Sequence, residues 1–189
     1  INLASIYDKA TIFFNFGTTG ADAGAQTYYW DDVAFVAPEP NIIELPITFE
    51  DSEVDYELAD FEGTTSQIII DPTDAGNLVV ETIKSETAAF FAGTTVADVT
   101  GFSEPIPFEE GSTSMTVRVW SPTANTPVRL KVEQVGVPTV SVETEAMTTV
   151  SEQWETLTFD FSNQVDGTAA INFASIYNKA TIFFNFGKT

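Results

Sequence analysis

Neither cysteine nor histidine occurs among the 189 residues. That excludes disulfides, thiol chemistry, Cys/His zinc sites and every catalytic triad built on His or Cys. Basic residues are nearly as scarce, with 7 Lys plus Arg against 28 Asp plus Glu and a formal charge of -21. Nucleic acid and anionic membrane surfaces both need a basic footprint, so neither is an expected partner. No apolar run approaches the ~20 residues that cross a bilayer, so membrane insertion is not expected either. Ile1-Asn2-Leu3-Ala4-Ser5 lacks an initiating Met and the charged start of a signal peptide, and the expectation is a piece cut from something longer. What the chain does have is apolar bulk. Hydrophobic residues make up 43% and Phe alone numbers 16, which suits one domain with a real core rather than an acidic disordered tail. Metal binding is open only to hard oxygen ligands. Strong acidity points towards an extracellular or cell-surface setting.

The strongest signal is self-similarity. Residues 1–17 read INLASIYDKATIFFNFG and residues 171–187 read INFASIYNKATIFFNFG, an offset of 170 residues with differences only at Leu3/Phe173 and Asp8/Asn178. That period is too long for a solenoid and fits a whole domain in tandem. The first copy continues through YYWDDVAFV to Val36, and Pro38 and Pro40 give the stretch after it the stiffness of a linker. The expected organisation is therefore residues 1–36 as the C-terminal strands of a preceding repeat, 37–44 as linker, and 45–189 as a repeat without its last strand.

Period-2 runs of Val, Ile, Thr and Phe dominate and helical periodicity is scarce. Strands are expected at 11–16, 28–36, 45–50, 67–70, 78–83, 90–96, 114–120, 127–133, 139–145, 154–161 and 181–186, with one short helical turn near 173–177. The fold class this implies is all-β, an antiparallel β-sandwich of jelly-roll type.

ITFED at 47–51, AFFAGTTV at 89–96, MTVRVWSP at 115–122, PVRLKVE at 127–133, WETLTFDFS at 154–162, KATIFFNFG at 179–187 and YYWDDVAFV at 28–36 occur in this chain. Together they resemble the β-sandwich carbohydrate-binding modules attached to bacterial polysaccharidases, of the laminarin- and xylan-binding types. The resemblance implies a jelly roll, often with a structural calcium, no catalytic activity of its own, and tandem use in large secreted or surface proteins.

Two sites follow as expectations. In strand 28–36, Asp31 shares a face with Val33 and Phe35, where a bare carboxylate is costly without a partner. In modules of the resembled kind the last strand lies beside the first, bringing Asp31 and Asp32 near Glu50 and Asp51. Carboxylates converging without Lys or Arg call for calcium; the alternative is that Asp31 is simply hydrated at a strand end. In loop 71–77, Asp71, Asp74 and Asn77 lack a full calcium-loop pattern and read as turn chemistry.

The second site is a polar strand face. Alternation turns Met115, Val117 and Val119 inward and Arg118 and Trp120 outward, and likewise exposes Arg129, Lys131, Glu133, Glu143 and Glu145. A Trp beside charged groups suits a polysaccharide, since a sugar ring offers an apolar face and a rim of hydroxyls. Cross-strand ion pairing explains the charges equally well but leaves Trp120 unexplained. Phe14 and Phe16, like Phe184 and Phe186, are expected to share one face, and Trp154 to pack in the core. Glu133, Glu143 and Glu145 could be cast as acid and base, but an open strand face would not raise a carboxyl pKa for general-acid work, so no enzyme is expected.

Two readings result: a non-catalytic carbohydrate-binding module, or a structural repeat of an adhesin or filament. In the second, the 28–36 segment either folds back through the linker or inserts into an identical chain or neighbouring repeat, with insertion favoured by the Pro-bounded linker.

Overall fold

A computed structural model describes residues 2, 4–34 and 40–187. The chain divides into two compact units, Ile1–Glu39 and Pro40–Thr189. In the first, the only regular element among the described residues is the short helix α1 (Gly20–Ala23), whose N-cap Thr19 side chain accepts a hydrogen bond from the Asp22 N–H. The strands expected at 11–16 and 28–36 do not form over their described residues, and Phe35 and Val36 lie outside them. A strand exists only when a neighbour completes its ladder, and no such neighbour is described in this unit.

Among its described residues the second unit carries nine strands: β1 (Ala59–Phe61), β2 (Thr64–Asp71), β3 (Asp74–Lys84), β4 (Gly93–Val96), β5 (Ser114–Trp120), β6 (Pro127–Gln134), β7 (Val137–Met147), β8 (Trp154–Asp160) and β9 (Lys179–Phe184). All pairings are antiparallel, in a five-stranded sheet of order β1-β4-β9-β6-β7 and two separate two-stranded sheets, the hairpin β2-β3 and the pair β5-β8, whose strands are separated in sequence by β6 and β7. The protein is thus all-β in its second unit. Residues 45–50, expected as a strand, have no ladder partner, and 173–177 forms turns without a helix.

The core lies between the inner face of the large sheet and the β5-β8 pair. Alternation places Val128, Leu130 and Val132 of β6 and Val142 of β7 on one side, against Val119, Leu157 and Phe159 of that pair. Phe159 and Phe161 are fully buried, each worth about 2–3 kcal/mol in apolar area removed from water. Ile47 and Phe49 pack onto the same core without joining a sheet.

Candidate functional site

The other face of the five-stranded sheet carries the site. Directly opposed residues in antiparallel strands point the same way, so the register alone assembles three rows across it. One row holds Phe61, Gly93, Phe183, Arg129 and Glu145; the next holds Ala59, Thr95, Thr181, Lys131 and Glu143; the third holds Lys179, Glu133 and Ser141. An open groove of about 420 Å³ runs over this face, and Phe91 and Phe186 add to its lining.

Glycine at 93 is a packing requirement. A Cβ there would stand 2.7 Å from Phe183 Cδ1 and 2.8 Å from the Ile182 carbonyl oxygen. Its absence lets the Phe183 ring lie over β4, edge-on to Phe61 with centroids 5.8 Å apart. Beyond β9 the chain turns at Asn185, whose φ of 53° breaks the strand alternation. Phe186 therefore does not share a face with Phe184, as alternation suggested: Phe184 packs towards the core, whereas Phe186 lies 5.5 Å from Phe183 and under the Arg129 guanidinium at 3.5 Å.

The charged groups of the groove are tied to one another. Arg129 reaches Glu143 and Glu145, each at 3.2 Å. Glu133 takes Lys131 at 2.5 Å and Lys179 at 2.8 Å, and Lys179 also reaches Asp98 at 3.3 Å. Burial alone would push the Glu133 carboxyl up, but hydrogen bonds and charge from Lys131 and Lys179 outweigh it and hold the group below the usual range. Lys179 is treated likewise: burial disfavours its charge, yet Glu133 and Asp98 raise its pKa. Thr95 and Thr181 hydroxyls, 2.9 Å apart, form a buried part of the groove floor.

Of the residues singled out from sequence, Arg129, Lys131, Glu133 and Glu143 come together here. Arg118 and Trp120 do not, which corrects the expectation of one shared face. They sit on β5, whose only strand partner among the described residues is β8, not β6. Sequence order suggested adjacency, but the chain crosses from one layer to the other between Trp120 and Pro127. Trp120 is 40% exposed. Arg118 stacks over Trp154 at 4.2 Å and approaches Asp71 at 3.7 Å. Trp154 is accordingly on the outward face of the β5-β8 pair rather than in the core, and its indole N–H donates to Thr73 Oγ1 at 3.0 Å and to Asp71. Asp71 is buried, which disfavours its charge, but Thr73, Asn77 and Trp154 donate to it and hold its pKa down to about 2. The loop after it is thus the turn chemistry its sequence indicated.

The four carboxylates assigned to calcium divide between the two units: Asp31 and Asp32 in the first, Glu50 and Asp51 in the second. Three of them serve nearby backbone. Asp31 accepts from the Asp32 N–H at 2.8 Å, Asp51 from Glu53 at 2.9 Å, and Glu50 from Leu78 at 2.7 Å. Among the described residues no group of three or more acidic side chains is arranged to hold a metal ion.

Sequence reasoning missed Lys179, Asp98, Phe61 and Phe183 as members of the groove. The signal was present for β9, since Lys179, Thr181 and Phe183 alternate with Ala180, Ile182 and Phe184. Asp98 and Phe61 come from elements whose place in the sheet no local pattern encodes. No protein-family model matches the chain, no curated protein matches it, and no solved structure matches it. Among the described residues no helix is long and apolar enough to cross a membrane.

Proposed function

We propose that this protein is a non-catalytic, extracellular carbohydrate-binding module whose ligand lies in the groove of the five-stranded sheet. The observation that carries the reading is the side-by-side placement of exposed aromatic surface and fixed polar groups. Phe91, with the partly exposed Phe61 and Phe186, supplies rings for the apolar face of a sugar over the buried Phe183, while Lys131, Glu133, Glu143 and Lys179 supply donors and acceptors for its hydroxyls. Every cation of the groove is already paired with a carboxylate, which suits an uncharged polysaccharide better than a uronate polymer.

The electrostatics favour binding over catalysis. A general acid needs a carboxyl whose pKa is raised, whereas Glu133 of the groove is held below its usual range by Lys131 and Lys179. An array of neutral and acidic glycans, read with and without calcium, tests the reading and identifies the ligand class. On the best neutral glycan, Phe91→Ala should weaken binding about fivefold to tenfold, the worth of one stacked ring. Trp120→Ala, outside the groove, should leave affinity unchanged. Loss of binding in Trp120→Ala with none in Phe91→Ala would place the ligand on the β5-β8 pair instead.

A further inference from the structure

Lys84 closes β3 and does not itself line the groove. Its ammonium meets three backbone carbonyls, those of Phe90, Phe184 and Asn185, each at 3.2 Å. Three donors are thus matched by three acceptors. Among the described residues every other Lys or Arg of the second unit pairs with a carboxylate, and Lys84 pairs with none. Burial disfavours its charge and holds its pKa below the usual 10.5. The carbonyl dipoles are what offsets that cost. An apolar side chain would fill the position without incurring it, so the donors are the reason for a Lys here.

The three carbonyls belong to the two segments that deliver rings to the groove. Strand β4 pairs with β9 only as far as Thr94 and Ile182, so beyond that point Phe184 and Asn185 have no partner on β4. Lys84 supplies the donors that a longer strand would have supplied. The Phe90 carbonyl also accepts from the Gly187 N–H at 3.1 Å, which ties the two segments to each other directly. Phe186 stands between the tied residues 185 and 187, and Phe91 follows the tied residue 90. The Phe90 ring lies edge-on to both, with centroids 5.0 Å from Phe91 and 5.9 Å from Phe186. We infer that Lys84 is a positioning residue of the groove: its ammonium holds the turn at Phe90 against the turn at 184–187 and so sets the separation of the Phe91 and Phe186 rings. Its use in binding rests on the glycan reading, but the clamp itself is a property of the protein without ligand.

The test is Lys84→Met in the full chain, which keeps the apolar stem and removes the donors. Signals of isotopically labelled Phe rings are recorded first without glycan. The Phe91 and Phe186 signals should move, those of the fully buried Phe159 and Phe161 should stay, and Lys84→Arg, which keeps a cation with several donors, should restore the first pair. Titration with the best neutral oligosaccharide should then show affinity lowered about fivefold to tenfold in Lys84→Met, the worth of one stacked ring, and within about twofold of the original in Lys84→Arg. Unmoved Phe91 and Phe186 signals would overturn the proposal. So would a change that extends to Phe159 and Phe161, because Lys84 would then support the whole fold rather than the groove. Absence of glycan binding by the unaltered protein would sink the glycan reading alone, and the ring signals would still decide whether Lys84 sets the two rings.

Discussion

Residues 2–17 and 172–187 differ at two positions yet end in different structures. Their local features agree. In each, the side chain of Asn2 or Asn172 accepts from the N–H two residues on (Ala4 and Ala174, both 3.0 Å), and the backbone N–H of the same Asn donates to a Tyr hydroxyl, at 3.2 Å for Tyr7 and 3.0 Å for Tyr177. Asn15 and Asn185 both take a positive φ, and the pairs Phe13–Phe16 and Phe183–Phe186 are both edge-on, at 5.3 and 5.5 Å. What differs is everything that needs a distant partner. Lys179–Phe184 is a strand between β4 and β6, whereas 9–14 is not a strand. Tyr177 is 3% exposed against 68% for Tyr7, and Phe183 is 7% exposed against 65% for Phe13. Short-range hydrogen bonds are a property of the sequence itself. The strand is a property of its neighbours.

Paired substitutions in the two copies sharpen this contrast. The largest effect belongs to the tyrosines. Tyr177→Ala opens a cavity against Phe108 and strands the Asn172 N–H, and should cost about 3–4 kcal/mol in denaturant unfolding. Tyr7→Ala should move the midpoint by almost nothing. Equal losses would mean that the first copy is packed as tightly as the second.

Next comes the glycine beneath the second copy. Gly93→Ala forces a methyl group against the Phe183 ring and the Ile182 carbonyl, and should cost about 1–3 kcal/mol through overpacking. It should also weaken glycan binding by tilting the ring. A neutral Gly93→Ala would show that Phe183 does not lie over β4.

The smallest effect lies in the lysines. Glu133 has a lowered pKa, so its pairing with Lys179 stabilises the fold above the ordinary carboxyl value of 4.5 and is lost as pH falls through the lowered one. Lys179 has a raised pKa, so the same pair persists below the ordinary 10.5 and is lost as pH rises through the raised value. Lys179→Met should therefore cost about 1 kcal/mol near neutrality and flatten both limbs of a stability–pH profile. Lys9→Met should change neither the midpoint nor the limbs.

The same contrast explains what could be read beforehand. Strand 114–120 was legible to the residue, and β6, β7 and β8 within a few residues, because each alternates cleanly between core and polar side chains. Strands proposed at 11–16, 28–36 and 45–50 have equally good local composition but, over their described residues, no ladder partner, which composition does not encode. Residues 59–61 were passed over because Ala-Asp-Phe has no strand signature; β4 makes them a strand. At the site, alternation along β6 and β7 found Arg129, Lys131, Glu133 and Glu143. It joined Arg118 and Trp120 to them wrongly, because face is a local property and sheet membership is not.

One titration tests both the groove and the contrast between the copies. Backbone amide resonances are followed while the best neutral oligosaccharide is added to dilute protein. The account predicts shifts at residues 179–183 and their neighbours on β6 and β7, and none at residues 9–13, which read Lys-Ala-Thr-Ile-Phe in both copies. Equal shifts in both copies, or shifts centred on Trp120, would contradict it.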